Sequence, residues 1–220
     1  EKPKFTAMIC DKPVEEPRAV MVKFSSKVDT PAGRRWADLL YAEHRANQVL
    51  RESGFDTANT RIFEQSDRVF LESERFDRMG PTGRRGLVSL RSMDAAHIGL
   101  GAGSWADCAR RLLANKWITP EDCERALRLH CFGELIANTD MHWGNLSFFL
   151  PEQRPYPLAP VYDMVPMRFR PSGTGELVER RFKPSLPKPE DQSAWLEMHP
   201  IACHYWHQIE ADENISDDFR

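Results

Sequence analysis

The chain has 220 residues, of which 41% are hydrophobic and 29% charged, and its formal net charge is −3 at pH 7. This composition is typical of a globular protein and excludes the collagenous, disordered and disulfide-scaffold classes. No apolar run approaches the roughly 20 residues of a membrane-spanning helix, so we expect no membrane span. The slightly acidic balance argues against a broad DNA-binding face, so any DNA contact is expected to be indirect or to come from additional N-terminal residues.

The cysteines and the first residues give two further expectations. The five cysteines form no Cys-x-x-Cys pair and their number is odd, which favours thiols in a reducing cytoplasm over a disulfide framework. The sequence begins Glu-Lys-Pro-Lys without a methionine, and we expect that it belongs to a longer protein with residues upstream.

The first third of the chain predicts strands around one helix. Residues 18–24 have the pattern of a short buried strand, and residues 33–53 carry an apolar stripe at three-to-four spacing, typical of an amphipathic helix. Residues 60–64 and 68–73 predict a hairpin around a Gln-Ser-Asp turn. Glu43 lies on the apolar stripe of the helix, where a carboxylate is costly unless a cation pairs with it.

The remainder of the chain predicts mainly helices. Residues 78–104 are rich in glycine and arginine and are expected to be a connecting segment. The other predicted elements are helices near 105–115, 120–138 and 194–210, a second hairpin from 146–150 and 158–162, and a polar loop over 171–193. This order indicates an α+β fold, with a small β-rich lobe over about residues 1–77 and a larger helical lobe over about 78–220.

A polar cluster lies between the helix predicted over 120–138 and the second hairpin. Asp140 and Asn145 are five residues apart, the spacing of a kinase catalytic loop. A short hairpin returns the chain to its start, so we expect Asp163, which follows the hairpin, to lie beside Asn145. Phosphoryl transfer uses one carboxylate to accept the substrate's hydroxyl proton, and an amide oxygen with a second carboxylate to hold magnesium. As an alternative, Asp140 could simply cap the helix end.

Two upstream residues match the other half of a kinase site. Lys23 in the first predicted strand and Glu43 in the next helix resemble the lysine–glutamate pair that fixes the ATP phosphates. Lys23 could instead be an ordinary edge-strand lysine, and Glu43 could pair with Arg35 or Arg45. Residues 74–76 lead towards the second lobe as a hinge, whose backbone groups could face an adenine edge.

Other patterns indicate structure rather than chemistry. The glycine-rich residues 99–103 lack the Lys-Ser/Thr of a Walker loop and are interpreted as a linker. Residues 203–207 contain cysteine and histidine but no second cysteine pair at zinc spacing, so an aromatic helix is expected. His142 and Asp77 are interpreted as structural residues. The arginine doublets at 34–35, 84–85, 110–111 and 180–181 are expected on solvated faces.

With these motifs, the sequence resembles the HipA family of bacterial serine/threonine kinases, the toxins of type II toxin–antitoxin modules. The resemblance is carried by residues 22–24, Glu43, 74–78, 138–147 and 158–166. Its most specific part is an Asn-Thr-Asp-x-His-x-x-Asn stretch followed by Pro-x-Tyr-Asp-x-x-Pro. Details of the sequence are most similar to the solitary YjjJ/HipH-like branch of the family.

The resemblance implies a two-lobed, protein-kinase-like fold and a Mg-ATP-dependent serine/threonine protein kinase that acts as a toxin. It implies that Asp140 is the catalytic base and that Lys23 contacts the ATP phosphates. It also implies that Asn145 and Asp163 bind Mg²⁺.

The resemblance further implies that Glu74 and Phe76 bond the adenine of ATP through their backbones, while His142 lies within the catalytic motif. In the family a glycine-rich loop covers the phosphates, and residues 1–4 match only its tail. The implied partners are a protein substrate, with translation components among the candidates, and a HipB-like antitoxin. Two other functions stay open: a kinase-like binding regulator without catalysis, and a small-molecule kinase.

Overall fold

A computed structural model of the chain describes residues 3–10 and 17–220. Its first part is a four-stranded antiparallel sheet with the strand order β1-β2-β4-β3. The strands are Lys4–Ile9 (β1), Arg18–Phe24 (β2), Thr60–Gln65 (β3) and Arg68–Glu74 (β4). The predictions of β2 and of the hairpin formed by β3 and β4 are confirmed. Strand β1 was not predicted, because its side chains are mostly exposed and show no buried face.

Helix α1, Pro31–Glu52, connects β2 to β3 and packs against β4. It begins two residues before the predicted start because Thr30 caps it: the Thr30 hydroxyl accepts a hydrogen bond from the Gly33 N–H at 3.1 Å. Gly33 is needed at this turn, since a Cβ there would lie 1.8 Å from the Lys27 carbonyl oxygen. Glu43 lies on the buried face of α1 and is only 2% exposed.

The second part of the chain contains more short elements than the sequence predicted. In chain order these are Arg78–Met79 (β5), Gly83–Arg84 (β6), Leu87–Ser89 (β7), Leu90–His97 (α2), Trp105–Ala114 (α3), Pro120–Leu135 (α4), Ser147–Phe149 (β8) and Gln192–Ala211 (α5). Residues 78–104 are therefore not a plain connecting segment: β5 and β6 form a small hairpin, and β7 leads into α2. Helix α2 has only eight residues, too few for a clear helical period.

The hairpin predicted from residues 146–150 and 158–162 forms only in part. Strand β8 pairs with β7, and the returning segment adds one isolated bridge to β8 instead of a second strand. Pro157 and Pro160 lack the N–H groups that a longer ladder requires. The chain still returns to the loop before β8, and this return places Asp163 at the edge of the site.

One large hydrophobic core of the described residues joins the sheet side and the helices, and Leu39, Val165 and Met167 form a separate small cluster. Buried side chains of α1 and β4 continue into those of α3, α4 and α5. Helix α4 ends before the predicted residue 138 because Ala137 has a positive φ of 61°. The division into lobes over 1–77 and 78–220 stays a prediction. Among the described residues there is no helix with the length and apolar character needed to cross a membrane.

Candidate active site

Lys23 of β2 is held between two carboxylates from different parts of the fold. The residue is 7% exposed, and its Nζ donates hydrogen bonds to Glu43 of α1 and to Asp163. Burial by itself lowers the pKa of Lys23, but the two carboxylates raise it more, so the pKa lies above the usual lysine value. Lys23 therefore carries its positive charge throughout the physiological pH range.

The two arginines that could have paired with Glu43 make other contacts. Arg45 Nε donates to Asp212 at 2.7 Å. The Arg35 guanidinium donates to backbone carbonyl oxygens of Phe169 and Asp218. Both arginines thus bind the later part of the chain to α1.

The loop after α4 is fixed by the side-chain amides of two asparagines. The Asp140 N–H donates to Asn138 Oδ1 at 3.0 Å, and Asn138 Nδ2 donates to the Asp163 carbonyl at 3.4 Å. Asn145 Nδ2 donates to the Asp140 carbonyl at 2.9 Å. Asn138 is buried and connects the two aspartates, although the sequence placed it only within the motif of residues 138–147. The Asp140 residue itself is exposed to the cavity.

Further contacts anchor this loop to the start of α3 and to the segment just before it. Trp105 Nε1 donates to the His142 carbonyl at 3.3 Å, and Trp143 Nε1 donates to the Gly103 carbonyl at 3.0 Å. The His142 ring Nδ1 accepts a hydrogen bond from the Gly144 N–H at 3.0 Å, which makes Nδ1 the unprotonated nitrogen. A Cβ at Gly144 would lie 2.9 Å from this ring. These contacts give His142 a role in shaping the loop.

Asp163 adopts a backbone conformation that few residues other than glycine adopt. Its φ is 57°, a left-handed value that aspartate tolerates better than most side chains do. The preceding Tyr162 hydroxyl donates to the Gly144 carbonyl at 2.8 Å and lies 2.7 Å from the Ser147 hydroxyl. Burial raises the pKa of Tyr162 to about 12, so the phenol keeps its proton. This anchoring holds the Asp163 carboxylate towards Lys23.

Two adjoining cavities meet at these residues. The larger has a volume of about 730 Å³ and the smaller about 320 Å³. Both are lined by Lys4, Lys23, Asn145 and Asp163. Asp140 and His142 line only the larger cavity, whereas Glu74 and Phe76 line only the smaller one. The predicted site residues thus lie around one continuous cleft, with Glu43 behind its wall.

The hinge residues differ in what their backbones can offer to a ligand. The Glu74 N–H donates to the Asn59 carbonyl at 2.7 Å, and the Arg75 N–H donates to the Ala19 carbonyl at 2.9 Å. Within residues 3–10 and 17–220, no acceptor takes the N–H of Phe76. Adenine binding at this edge would therefore use the Phe76 N–H as donor, and the Glu74 N–H is already occupied.

The donor set at the centre of the cleft suits magnesium. Mg²⁺ prefers oxygen ligands and is usually held by one or two protein side chains together with phosphate oxygens and waters. Asn145 uses its amide nitrogen for the Asp140 carbonyl, which leaves its amide oxygen as an acceptor. The Asp163 carboxylate is 28% exposed and lines both cavities. These two oxygens are the groups that could hold the metal.

The sequence assigned Lys4 only to the tail of the phosphate-covering loop and predicted no cavity position for Arg180. Lys4 is the cross-strand neighbour of Lys23, while Glu1 and Lys2 of the predicted loop tail lie outside the described residues. The expectation of solvated arginine doublets is wrong for Arg180, which lies in the wall of the larger cavity and donates to the Arg168 carbonyl. It is also wrong for Arg35, which is 8% exposed. Pattern alone could not show this, because doublets of arginine occur on solvated and packed faces alike.

Comparison with known proteins gives the same family over almost the whole chain. The family model of the HipA-like C-terminal domain matches residues 1–213. The chain is 39% identical over 221 residues to Toxin YjjJ of Escherichia coli (strain K12), covering 100% of this chain and 49% of that protein. The chain thus spans about half the length of this curated relative.

Two solved structures resemble the fold at low sequence identity. The proinflammatory kinase CtkA of Helicobacter pylori has a TM-score of 0.64 and 16% identity, covering 99% of this chain and 86% of that one. The second structure is HipA in the toxin–antitoxin complex of HipA, HipB and operator DNA from Shewanella oneidensis MR-1. It has a TM-score of 0.59 and 20% identity, and the match covers 94% of this chain and 54% of that one. These likenesses show the fold, and they confirm the predicted α+β, kinase-like class. On the family match and the shared sequence, the chain belongs to the HipA-like C-terminal domain family.

Proposed function

We propose that this chain is the catalytic part of a Mg-ATP-dependent serine/threonine protein kinase that acts as a HipA-like toxin. The observation that carries the proposal is Lys23, held between Glu43 and Asp163 at a cleft that Asp140 also lines. A buried ion pair adds little to stability compared with apolar packing, so a functional reason for it is favoured.

In the proposed complex, ATP lies along the cleft from the smaller cavity towards the larger. The adenine faces the hinge, where the Phe76 N–H donates to a ring nitrogen and the Glu74 carbonyl accepts from the amino group. Lys23 neutralises the α- and β-phosphates, and Glu43 keeps its Nζ in place. Lys4, beside Lys23 at the start of β1, adds a second positive charge near the phosphates.

Asn145 and Asp163 are the proposed magnesium ligands. When bound, the ion would neutralise charge on the phosphates and align them for transfer. The hydrogen bond from Asn145 to the Asp140 carbonyl couples the ligand residue to the loop that carries the base. Through this bond and those of Asn138, the chain keeps the proposed base and both proposed ligands in fixed relation.

Asp140 is the proposed catalytic base. Its carboxylate accepts the proton of a serine or threonine hydroxyl as that oxygen forms a bond to the γ-phosphorus. The bond from the γ-phosphorus to the bridging oxygen breaks, and ADP leaves with the electron pair. His142 acts on this step only by holding the loop, through the bond from Gly144 to its ring.

The family match supports a proposal for the wider biological role. The proposed lobes, residues 1–77 and 78–220, would enclose the nucleotide between them. We propose a protein substrate, with translation components as the first candidates, and control by a HipB-like antitoxin. These partners are cytoplasmic, so the proposal places the protein in the cytoplasm.

Transfer of labelled γ-phosphate from ATP to proteins of a bacterial extract tests this function. The full gene product is compared with Asp140→Asn and with a control, Asp217→Asn, at an exposed aspartate outside both cavities. We expect Asp140→Asn to lower the rate by about 10²–10⁴-fold, the usual contribution of a general base, with an unchanged thermal transition. The control should retain full activity.

The same experiment separates the other candidate functions. Label on a metabolite but on no protein would replace the proposal with a small-molecule kinase. No transfer to any acceptor, despite a folded protein, would favour a binding regulator. Full activity in Asp140→Asn would refute the assignment of the base.

A further inference from the structure

The two ends of the cleft differ in the residues that line them. The smaller cavity continues from the shared centre to Met21, Glu74 and Phe76, whereas the larger continues to Trp36, Asp140 and Met167. If the nucleotide takes the smaller cavity, as the proposed function requires, the far end of the larger one is left for the phosphate acceptor. The chemistry of that end then decides which acceptors fit.

Two arginines and one carboxylate, Asp140, line this acceptor end. Arg170 and Arg180 line the larger cavity, and neither lines the smaller one. The Arg180 guanidinium donates only to backbone carbonyls, those of Arg168 and Arg170. In the described part of the chain, neither Arg170 nor Arg180 forms an ion pair with a carboxylate.

This lack of a carboxylate partner contrasts with other arginines of the protein. Arg45 pairs with Asp212 at 2.7 Å, and Arg75 pairs with Asp77 at 2.6 Å. The exposed glutamates nearest in sequence to the cavity arginines, at positions 176 and 179, make no such pair with them within residues 3–10 and 17–220. Among the residues that the structure describes, these two guanidinium groups thus line the cavity without a carboxylate in ion-pair contact.

We propose that Arg170 and Arg180 select a protein substrate with an aspartate or glutamate close to the phosphorylated serine or threonine. Arginine presents planar donors that match a carboxylate, often through two hydrogen bonds. Trp36, Val165 and Met167 give the same end an apolar wall, which suits the stem of a neighbouring side chain. The overall charge of −3 makes this positive site a local feature and not a general attraction for anions.

The phosphorylated sites of a dephosphorylated bacterial proteome, treated with the full gene product and Mg-ATP, test this selection. Three proteins are compared: the wild type, Arg170→Glu and the control Arg181→Glu. Arg181 belongs to the same segment and is exposed, but it does not line the cavity. Two synthetic peptides are then compared: one copies the most strongly phosphorylated site, and the other has each acidic residue of that site changed to lysine. The ratio of their phosphorylation rates measures the acidic preference.

We expect wild-type sites to be enriched in acidic residues and Arg170→Glu to lose the enrichment. The ratio of the phosphorylation rate of the acidic peptide to that of the lysine peptide should fall at least about fivefold in Arg170→Glu. A factor of about five corresponds to the upper end of the energies measured for exposed ion pairs. In Arg181→Glu the ratio should be unchanged. The affinity for Mg-ATP should stay unchanged in both. Arg170→Lys should keep most of the acidic preference.

Three results would overturn the inference. Sites without acidic enrichment would refute it while leaving the kinase function intact. Weaker Mg-ATP binding in Arg170→Glu, with unchanged site preference, would place this arginine at the nucleotide. Mg-ATP binding without any phosphorylated protein would show that the acceptor end takes no protein segment. Failure to bind Mg-ATP would instead refute the proposed function itself.

Discussion

Replacing Lys23 by methionine would test how strongly the buried charges depend on each other. Lys23 is 7% exposed and Glu43 only 2%. Removing one partner of a buried ion pair costs about 3–5 kcal/mol, because the other charge stays buried. Asp163 is 28% exposed, so water screens it and its share of the loss is small. We therefore predict that Lys23→Met lowers the free energy of unfolding by about 3–5 kcal/mol.

A double variant separates the charge from the packing. Lys23→Met with Glu43→Leu removes both members of the pair and leaves two apolar side chains of suitable size. Apolar replacement of a buried pair is often neutral or stabilising, so the double variant should be at least about 2 kcal/mol more stable than the single one. Neither variant should bind Mg-ATP, because the phosphate contact is lost in both.

Urea unfolding followed by the fluorescence of the six tryptophans measures both effects. The pKa of Lys23 is raised above the ordinary 10.5 in the folded state. The contribution of Lys23 to stability is therefore fully present below pH 10.5, and it is lost only as the pH rises through the pKa of the folded state. The difference between wild type and Lys23→Met should thus be constant from pH 6 to pH 9. Equal stability of wild type and single variant, or no recovery of stability in the double variant, would show that the charges of Lys23 and Glu43 do not depend on each other.

Three further predictions concern the metal, a helix cap and the thiols. Asn145→Ala should raise the Mg²⁺ concentration for half-maximal activity at least about tenfold, as measured by magnesium titration. Even residues that only hydrogen-bond to a metal ligand change the metal affinity by about tenfold or more when they are mutated. Asp107→Ala removes a capping box and the contact with Lys188, and should cost about 1 kcal/mol in urea unfolding. Partial burial raises the pKa of Asp107, but the hydrogen bonds from Lys188 and Ser104 outweigh burial and lower the pKa to about 2. The stability loss in Asp107→Ala is therefore complete above pH 3.8 and shrinks as the pH falls towards 2. With a thiol reagent at pH 8, only the exposed Cys10 and Cys203 should react before unfolding, because the other three cysteines are buried. These predictions would be contradicted by an unchanged magnesium requirement in Asn145→Ala, by a stability loss in Asp107→Ala that does not vary with pH, or by fast reaction of all five thiols.

The parts of the fold that the sequence predicted are those with a strong local signal. Strand β2 and helix α1 have clear periodicity, so both were predicted, although the helix start was placed two residues too late. Strand β1 and helix α2 have none: the strand has no buried face and the helix has eight residues. The prolines at 157 and 160 could have warned that the second hairpin would not extend.

The candidate site was predictable where spacing carries chemistry. The five-residue interval from Asp140 to Asn145 and the carboxylate of Glu43 on an apolar face are visible in the sequence alone. Asn138 connects Asp140 and Asp163 through hydrogen bonds, and these bonds depend on a loop conformation that no local sequence pattern specifies. The cavity position of Arg180 depends on how residues 164–181 fold back onto the site, which is decided by tertiary packing.

Calorimetric titration of Mg-ATP into the full gene product and its Asp163→Asn variant is the decisive test of the proposed nucleotide site. We expect binding that requires Mg²⁺, that EDTA abolishes and that the variant loses, because one proposed metal ligand and one partner of Lys23 are removed together. Binding that is unchanged in Asp163→Asn, or no binding in the intact protein, would contradict the claim that this cleft is a nucleotide site.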